Sequence, residues 1–196
     1  MEADWEFEVG GGAPIGEAPV SEAPVLNALW PGFVDLRRNP ERAGQLPEAA
    51  QLPALAEVLA MLNAVASPVW TSKCDVWPIA EPNEFDPDEL DAPSGCAAHA
   101  MGCYIDLLPK TDQQWGLPAK AAAECKQVCS LLRAVPLRCC RADLVIRRAF
   151  ITPNLTDLGI TAYLTACGPS PDEAKQTLQD ALAAFARVLS GYSTLE

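Results

Sequence analysis

The sequence predicts an α+β two-layer sandwich: a four-stranded antiparallel sheet with two helices on one face, in the order ββαββα. Three observations predict it. From Val69 onward, segments with period-two alternation come in two pairs, and each pair is followed by a segment of helical period. The link within each pair favours antiparallel neighbours, while a right-handed crossover puts both helices on the same face. A ferredoxin-like unit reads βαββαβ, and moving its last strand to the front gives the order seen here, a permuted ferredoxin-like arrangement. Topology of this kind says nothing about function.

The elements follow in chain order. Residues 1–51 read as a Pro/Gly-rich N-terminal extension packed on the domain, and residues 52–196 as a single α+β domain. Within the extension, Trp5, Phe7 and Val9 alternate with Glu6 and Glu8, the pattern of a half-buried strand, and Gly10-Gly11-Gly12 ends it. Glu17-Ala18-Pro19-Val20 recurs as Glu22-Ala23-Pro24-Val25, too short for a structural repeat and suited to extended chain. Trp30, Phe33, Val34 and Leu36 are costly in water, so the extension is expected to lie on the domain.

Leu52, Leu55, Leu59 and Leu62 recur at helical spacing behind Pro53, which suits a first helical position, and Pro68 bounds this N-terminal helix. Val69 to Trp77 reads as a strand closed by Pro78, and Cys103 to Leu108 as a second stopped by Pro109. Leu117, Ala121, Cys125, Val128 and Leu132 line one face of a helix. Arg141 to Ile151 and Gly159 to Cys167 are strands joined through Thr152-Pro153-Asn154. Ser170-Pro171-Asp172-Glu173 is a capping box opening the last helix, with Ala174, Leu178, Leu182, Phe185 and Leu189 on its apolar face and Gly191 as its stop.

A net charge of −12 repels phosphate backbones and anionic membrane surfaces, so neither nucleic acid nor membrane is expected as a partner. No apolar run approaches the roughly 18 residues of a membrane span. The opening Met1-Glu2-Ala3-Asp4 is the reverse of a basic signal-peptide start, so the expected location is cytoplasmic, where the eight cysteines stay reduced.

Most standard catalytic motifs are missing. Gly10 to Gly16 runs into proline-rich chain rather than a helix, which defeats a dinucleotide reading, and no phosphate-binding glycine-lysine loop occurs. His99 is the lone histidine. Cys96-x-x-His99-x-x-x-Cys103, with Cys74 on the neighbouring strand, is the sharpest metal candidate, since zinc takes thiolate and imidazole in a tetrahedron. The spacing is not that of established zinc sets, and free cysteine packs as a small hydrophobe. Core packing therefore ranks first there, no cofactor is expected, and zinc is the second reading.

Cys125 and Cys129 share the apolar helix stripe, and Cys139 and Cys140, being adjacent in extended chain, point to opposite faces. The connection from Pro78 to Gly102 carries Glu81, Glu84, Asp86, Asp88, Glu89 and Asp91. It lacks the glycine and third ligand of a calcium loop and reads as solvated acidic chain. Its length is nevertheless typical of lids and binding loops.

Alternation assigns the two sheet faces. Ile105, Leu107, Leu144, Ile146, Ile160, Ala162 and Leu164 make an apolar face for the helices. The other face would carry Thr71, Lys73, Asp75, Trp77, Tyr104, Asp106, Asp143, Val145, Arg147, Thr161, Tyr163 and Thr165. Of these, Lys73, Asp75, Tyr104, Asp106, Asp143, Arg147 and Tyr163 are the candidate ligand or partner residues, combining aromatic area with oriented polar groups.

Cover by the N-terminal extension or by a second subunit ranks first for this face, a small-molecule site second and a bare wet face third. The functional reading is a non-enzymatic binding or interaction module, a homodimer, taking a small molecule or a protein partner. The alternative is a small hydrolytic or metal-dependent enzyme. It would use Asp75, Asp106 or Asp143 as acid or base, or a Cys/His zinc to activate water.

Overall fold

The computed structural model describes residues 1–8, 23–26, 32–80, 84–110, 115, 117–152 and 155–192. Val9, the triple glycine after it, the first copy of the five-residue echo, Trp30, Glu81 and the Pro153-Asn154 tip lie outside them. The strands are β1 (Glu2–Phe7), β2 (Val69–Ile79), β3 (His99–Pro109), β4 (Cys140–Thr152) and β5 (Leu155–Gly168). A 3-10 turn spans Pro40–Gln45, and the α-helices are α1 (Pro47–Gln51), α2 (Pro53–Asn63), α3 (Pro118–Arg133) and α4 (Pro171–Tyr192).

All five strands form one mixed sheet in the order β1-β4-β5-β3-β2. The expectation of four antiparallel strands is therefore corrected: β1 joins as a fifth, parallel to β4, from Glu2 opposite Arg141 to Phe7 opposite Ile146. Alternation in residues 5–9 revealed a strand but could not name a partner so distant in the chain. The remaining neighbours, β4 with β5, β5 with β3 and β3 with β2, are all antiparallel.

α2, α3 and α4 cover one face. α4 lies on β5 and β3 and touches both α2 and α3. Phe185 and Leu182 of α4 and Leu132 of α3 are buried against Ile105, Leu144, Ile146 and Leu164. Each such side chain contributes about 1.5–3 kcal/mol on leaving water. Half of the capping box forms at the start of α4: Ser170 Oγ accepts the Glu173 N–H at 3.3 Å, while Glu173 Oε2 takes the Ser170 hydroxyl at 2.7 Å rather than its backbone N–H. The helix continues through Gly191 to Tyr192, so that glycine is not its stop. Likewise β2 runs through Pro78 to Ile79, which an edge strand tolerates because the missing N–H costs no ladder bond there.

One irregularity reassigns a predicted residue. Thr71 stands opposite Leu107 and Cys74 opposite Ile105, so β2 advances three residues where β3 advances two. That bulge reverses the alternation. Lys73, Asp75 and Trp77 keep the helix-free face, but Thr71 turns to the helix layer. There its N–H donates to Asn63 Oδ1 at 3.1 Å and its Oγ1 accepts from Asn63 Nδ2 at 2.6 Å.

The helix-free face is bounded at both ends. At one end Pro24 and Leu26 share backbone hydrogen bonds with Phe150 of β4, and Val25 exchanges two with the Ser72 hydroxyl in the β2 bulge, at 3.0 and 2.6 Å. Pro24 lies over Gly159, where a Cβ would come within 2.9 Å of the proline ring. At the other end the connection between β2 and β3 folds back. Leu90, with Phe85, Ala92 and Ala97 beside it, packs on Ala100, Cys139 and Cys167. The acidic side chains Glu84, Asp86, Asp88, Glu89 and Asp91 stay exposed, as expected of a solvated loop, yet its apolar residues anchor it.

Candidate functional site

Between those two ends the register lines up the side chains of the helix-free face. Trp77 lies opposite Gly102, and a Cβ there would sit 2.6 Å from the indole, so only glycine lets the ring lie flat across β3. Tyr104 lies opposite Tyr163, which lies opposite Asp143. The rings form a tilted series, Trp77 to Tyr104 at 6.3 Å and Tyr104 to Tyr163 at 6.1 Å between centroids. Arg147 continues it: its guanidinium carbon is 5.7 Å from the Tyr163 centroid, and Nη1 donates to the phenol oxygen at 3.3 Å. Its Nη2 is paired with Glu8 just beyond β1 at 2.6 Å.

Two residues along β3 from Tyr104, on the same face, sits Asp106, only 1% exposed. Thr161 Oγ1 donates to its Oδ1 at 2.6 Å, and Lys73 Nζ lies 3.3 Å from Oδ2, within ion-pair range but not aligned as a hydrogen bond. Burial pushes the Asp106 carboxyl above its ordinary range, against the opposing pull of Thr161 and Lys73. Burial, then Asp106, also raises the Tyr104 phenol. Two buried atoms on this face, Asp106 Oδ2 and Arg147 Nε, have no hydrogen-bond partner among the described residues. Buried polar atoms are seldom left so.

The face opens at the β2 bulge into a cavity of about 440 Å³. Lys73, Cys74 and Tyr104 line it from the sheet, Leu59 from α2, and Phe33, Leu36, Leu46 and Glu48 from the preceding chain. Burial pushes the Cys74 thiol there up to about 12, helped by Glu48.

Five of the seven predicted binding residues thus converge: Lys73, Tyr104, Asp106, Arg147 and Tyr163. Asp143 stands beside Tyr163 but is held by Arg141 Nε at 2.8 and 2.9 Å, and burial raises its carboxyl against that pair. Asp75 is exposed at the sheet edge and accepts the Val76 N–H at 2.7 Å. Three contributors went unpredicted: Glu8, Arg141 and the 33–48 wall. The alternation of β1 already put Glu8 on a polar position, but no partner strand was assigned to it.

The four metal candidates do not assemble. Cys74 and Cys103 are diagonal neighbours on the helix side of β2 and β3, with Cys103 fully buried. Cys96 sits in the folded-back connection near Cys139 and Cys167, and His99 is exposed at the start of β3. Among the described residues no three His, Cys, Asp or Glu side chains form a metal-binding group. No described helix is long and apolar enough to cross a membrane.

Compared with known proteins, the chain matches no family model, no curated protein and no solved structure.

Proposed function

We propose that this chain is a non-enzymatic binding module whose ligand is a small polar molecule held on the helix-free face. One observation carries the reading. The helix-free face presents the tilted rings of Trp77, Tyr104 and Tyr163 beside Lys73, which is paired with Asp106, and beside Arg147, whose buried Nε has no hydrogen-bond partner among the described residues. A molecule offering acceptors for the Lys73 and Arg147 cations and a flat or apolar body would cover the rings. The neighbouring cavity, about 440 Å³, is of the size that holds such ligands. In this reading the cell compartment is the cytoplasm, the four strands from Val69 are a permuted ferredoxin-like unit extended by β1, and two copies associate as a homodimer.

A second reading, a small hydrolytic enzyme, is favoured by one feature. Asp106 holds its proton more tightly than an ordinary carboxyl, beside Lys73, as a general acid would.

The test is a thermal-shift screen of polar metabolites on the parent and on two variants, Arg147→Lys and Tyr104→Ala. Arg147→Lys keeps the positive charge for Glu8 but deletes Nε. At least one compound should raise the parent's melting temperature, and both variants should lose that response while remaining folded. Equal responses in all three proteins would remove the support for the reading. Turnover of the bound compound, abolished in Asp106→Asn, would favour the enzyme instead.

A further inference from the structure

A second chemically competent group lies at the other end of the same face. The β4–β5 ladder ends with Cys140 opposite Ala166, so the next pair outward is Cys139 opposite Cys167. The Cys167 N–H donates to the Cys139 carbonyl at 2.9 Å, which confirms that they face each other. Opposed residues of antiparallel strands have Cα atoms roughly 4.5–5.5 Å apart, and Cys139 stands one residue outside that ladder. A disulfide spans Cα separations of about 4.4–6.8 Å. The two thiols lie near enough for each to influence the protonation of the other.

Their surroundings differ in a useful way. Cys167 is fully buried, whereas Cys139 is partly exposed and holds a left-handed backbone with φ of 61°. Non-glycine residues seldom adopt that conformation outside special sites. Arg138 beside it makes a two-pronged, exposed pair with Asp91 at 2.7 and 3.0 Å and pulls the Cys139 thiol down only in part, since burial and Cys96 hold it above its ordinary range. Cys140, next in the chain, points the other way into the helix-side core and is fully buried.

We propose that Cys139 and Cys167 are a hydroperoxide-oxidised pair that closes to a cross-strand disulfide. Cys139, the accessible member, attacks the peroxide as its thiolate. Its sulfur bonds to one oxygen, the O–O bond breaks, and water leaves with the thiol's proton, giving a sulfenic acid. Cys167 sulfur then attacks that sulfur, the S–O bond breaks, and a second water leaves with the Cys167 proton. In sum, two thiols lose two electrons and two protons, and one hydrogen peroxide becomes two waters. Burial raises both thiols, Cys167 to about 12, so exposure rather than acidity sets the order: the accessible Cys139 meets the peroxide first.

The experiment treats the full chain with graded hydrogen peroxide, alkylates the remaining thiols, and maps the peptides without reduction. Fragmentation must resolve Cys139 from Cys140. The first two thiols lost should be Cys139 and Cys167, recovered as one linked species that dithiothreitol reverses. In Cys167→Ser, oxidation should stop at a sulfenic acid on Cys139 that dimedone traps. If that buried variant does not fold, Cys139→Ser at the more accessible position should leave Cys167 alkylatable after the same treatment. A first-formed link from either residue to Cys96, or retention of both thiols while others oxidise, would overturn the pairing.

Discussion

Asp106 concentrates the physics of the site in one side chain. A carboxyl that burial holds above its ordinary 3.8 binds its proton more tightly in the fold than in the unfolded chain. It therefore favours the fold fully below about pH 4, and that contribution is lost as pH rises through the raised folded value. Asp106→Asn removes the titration and keeps an oxygen for Thr161. The melting temperature of the parent relative to this variant should fall steadily from pH 4 towards neutrality, read by calorimetry at matched ionic strength. A difference that is flat, or that grows with pH, would mean Asp106 is not destabilised as a carboxylate. Asp106 was readable as a polar residue on an alternating strand, but its depth was not. Alternation supplies a side of the sheet, and the depth comes from tertiary packing around Asp106, where Thr161 and Lys73 meet its carboxyl.

At the scale of elements, the β2 bulge shows where alternation stops being informative. Counting by twos from Trp77 back to Thr71 puts four residues on one face, and a single inserted residue breaks the count before Thr71. Nothing in Thr71-Ser72-Lys73-Cys74 announces a bulge, because its cause is tertiary: Asn63 from α2 and Val25 from the N-terminal chain take the polar groups of Thr71 and Ser72. Asn63 is nearly fully buried and also donates to the Leu59 carbonyl at 2.8 Å. Asn63→Leu should cost roughly 1–3 kcal/mol, since it removes the partner of the half-buried Thr71 N–H and hydroxyl. Urea unfolding checks the magnitude. A loss below about 0.5 kcal/mol would show that β2 holds its bulge without α2. The capping box, by contrast, was legible because everything it needs lies within four residues.

For the whole molecule, legibility followed sequence distance. The helix-side core was readable because each element carries its own apolar period, and the residues assigned to that face of the sheet are buried. The parallel contact of β1 with β4, the folded-back connection and the N-terminal stitch between Phe150 and Ser72 were not, since each depends on a partner far along the chain. Phe185, at the centre of the α4 contact with the sheet, should be the costliest simple truncation: Phe185→Ala is expected to lose about 3–5 kcal/mol in the same unfolding assay. A smaller loss would mean that the layers repack around the gap.

The placement of β1 also has a colloidal consequence. It is the terminal strand of the sheet, and an exposed strand edge is a template on which another chain can add. Glu2, Asp4 and Glu6 follow one another at every second position along it, all exposed, and only Asp4 among them has a cation nearby, Arg133 at 3.7 Å, among the described residues. A second copy docking in register would bring a like-charged row against this one, on a molecule already carrying −12. The strand that completes the sheet thus also guards it against fibre-like growth, and it does so by charge, which salt screens beyond about 8–10 Å at ordinary ionic strength.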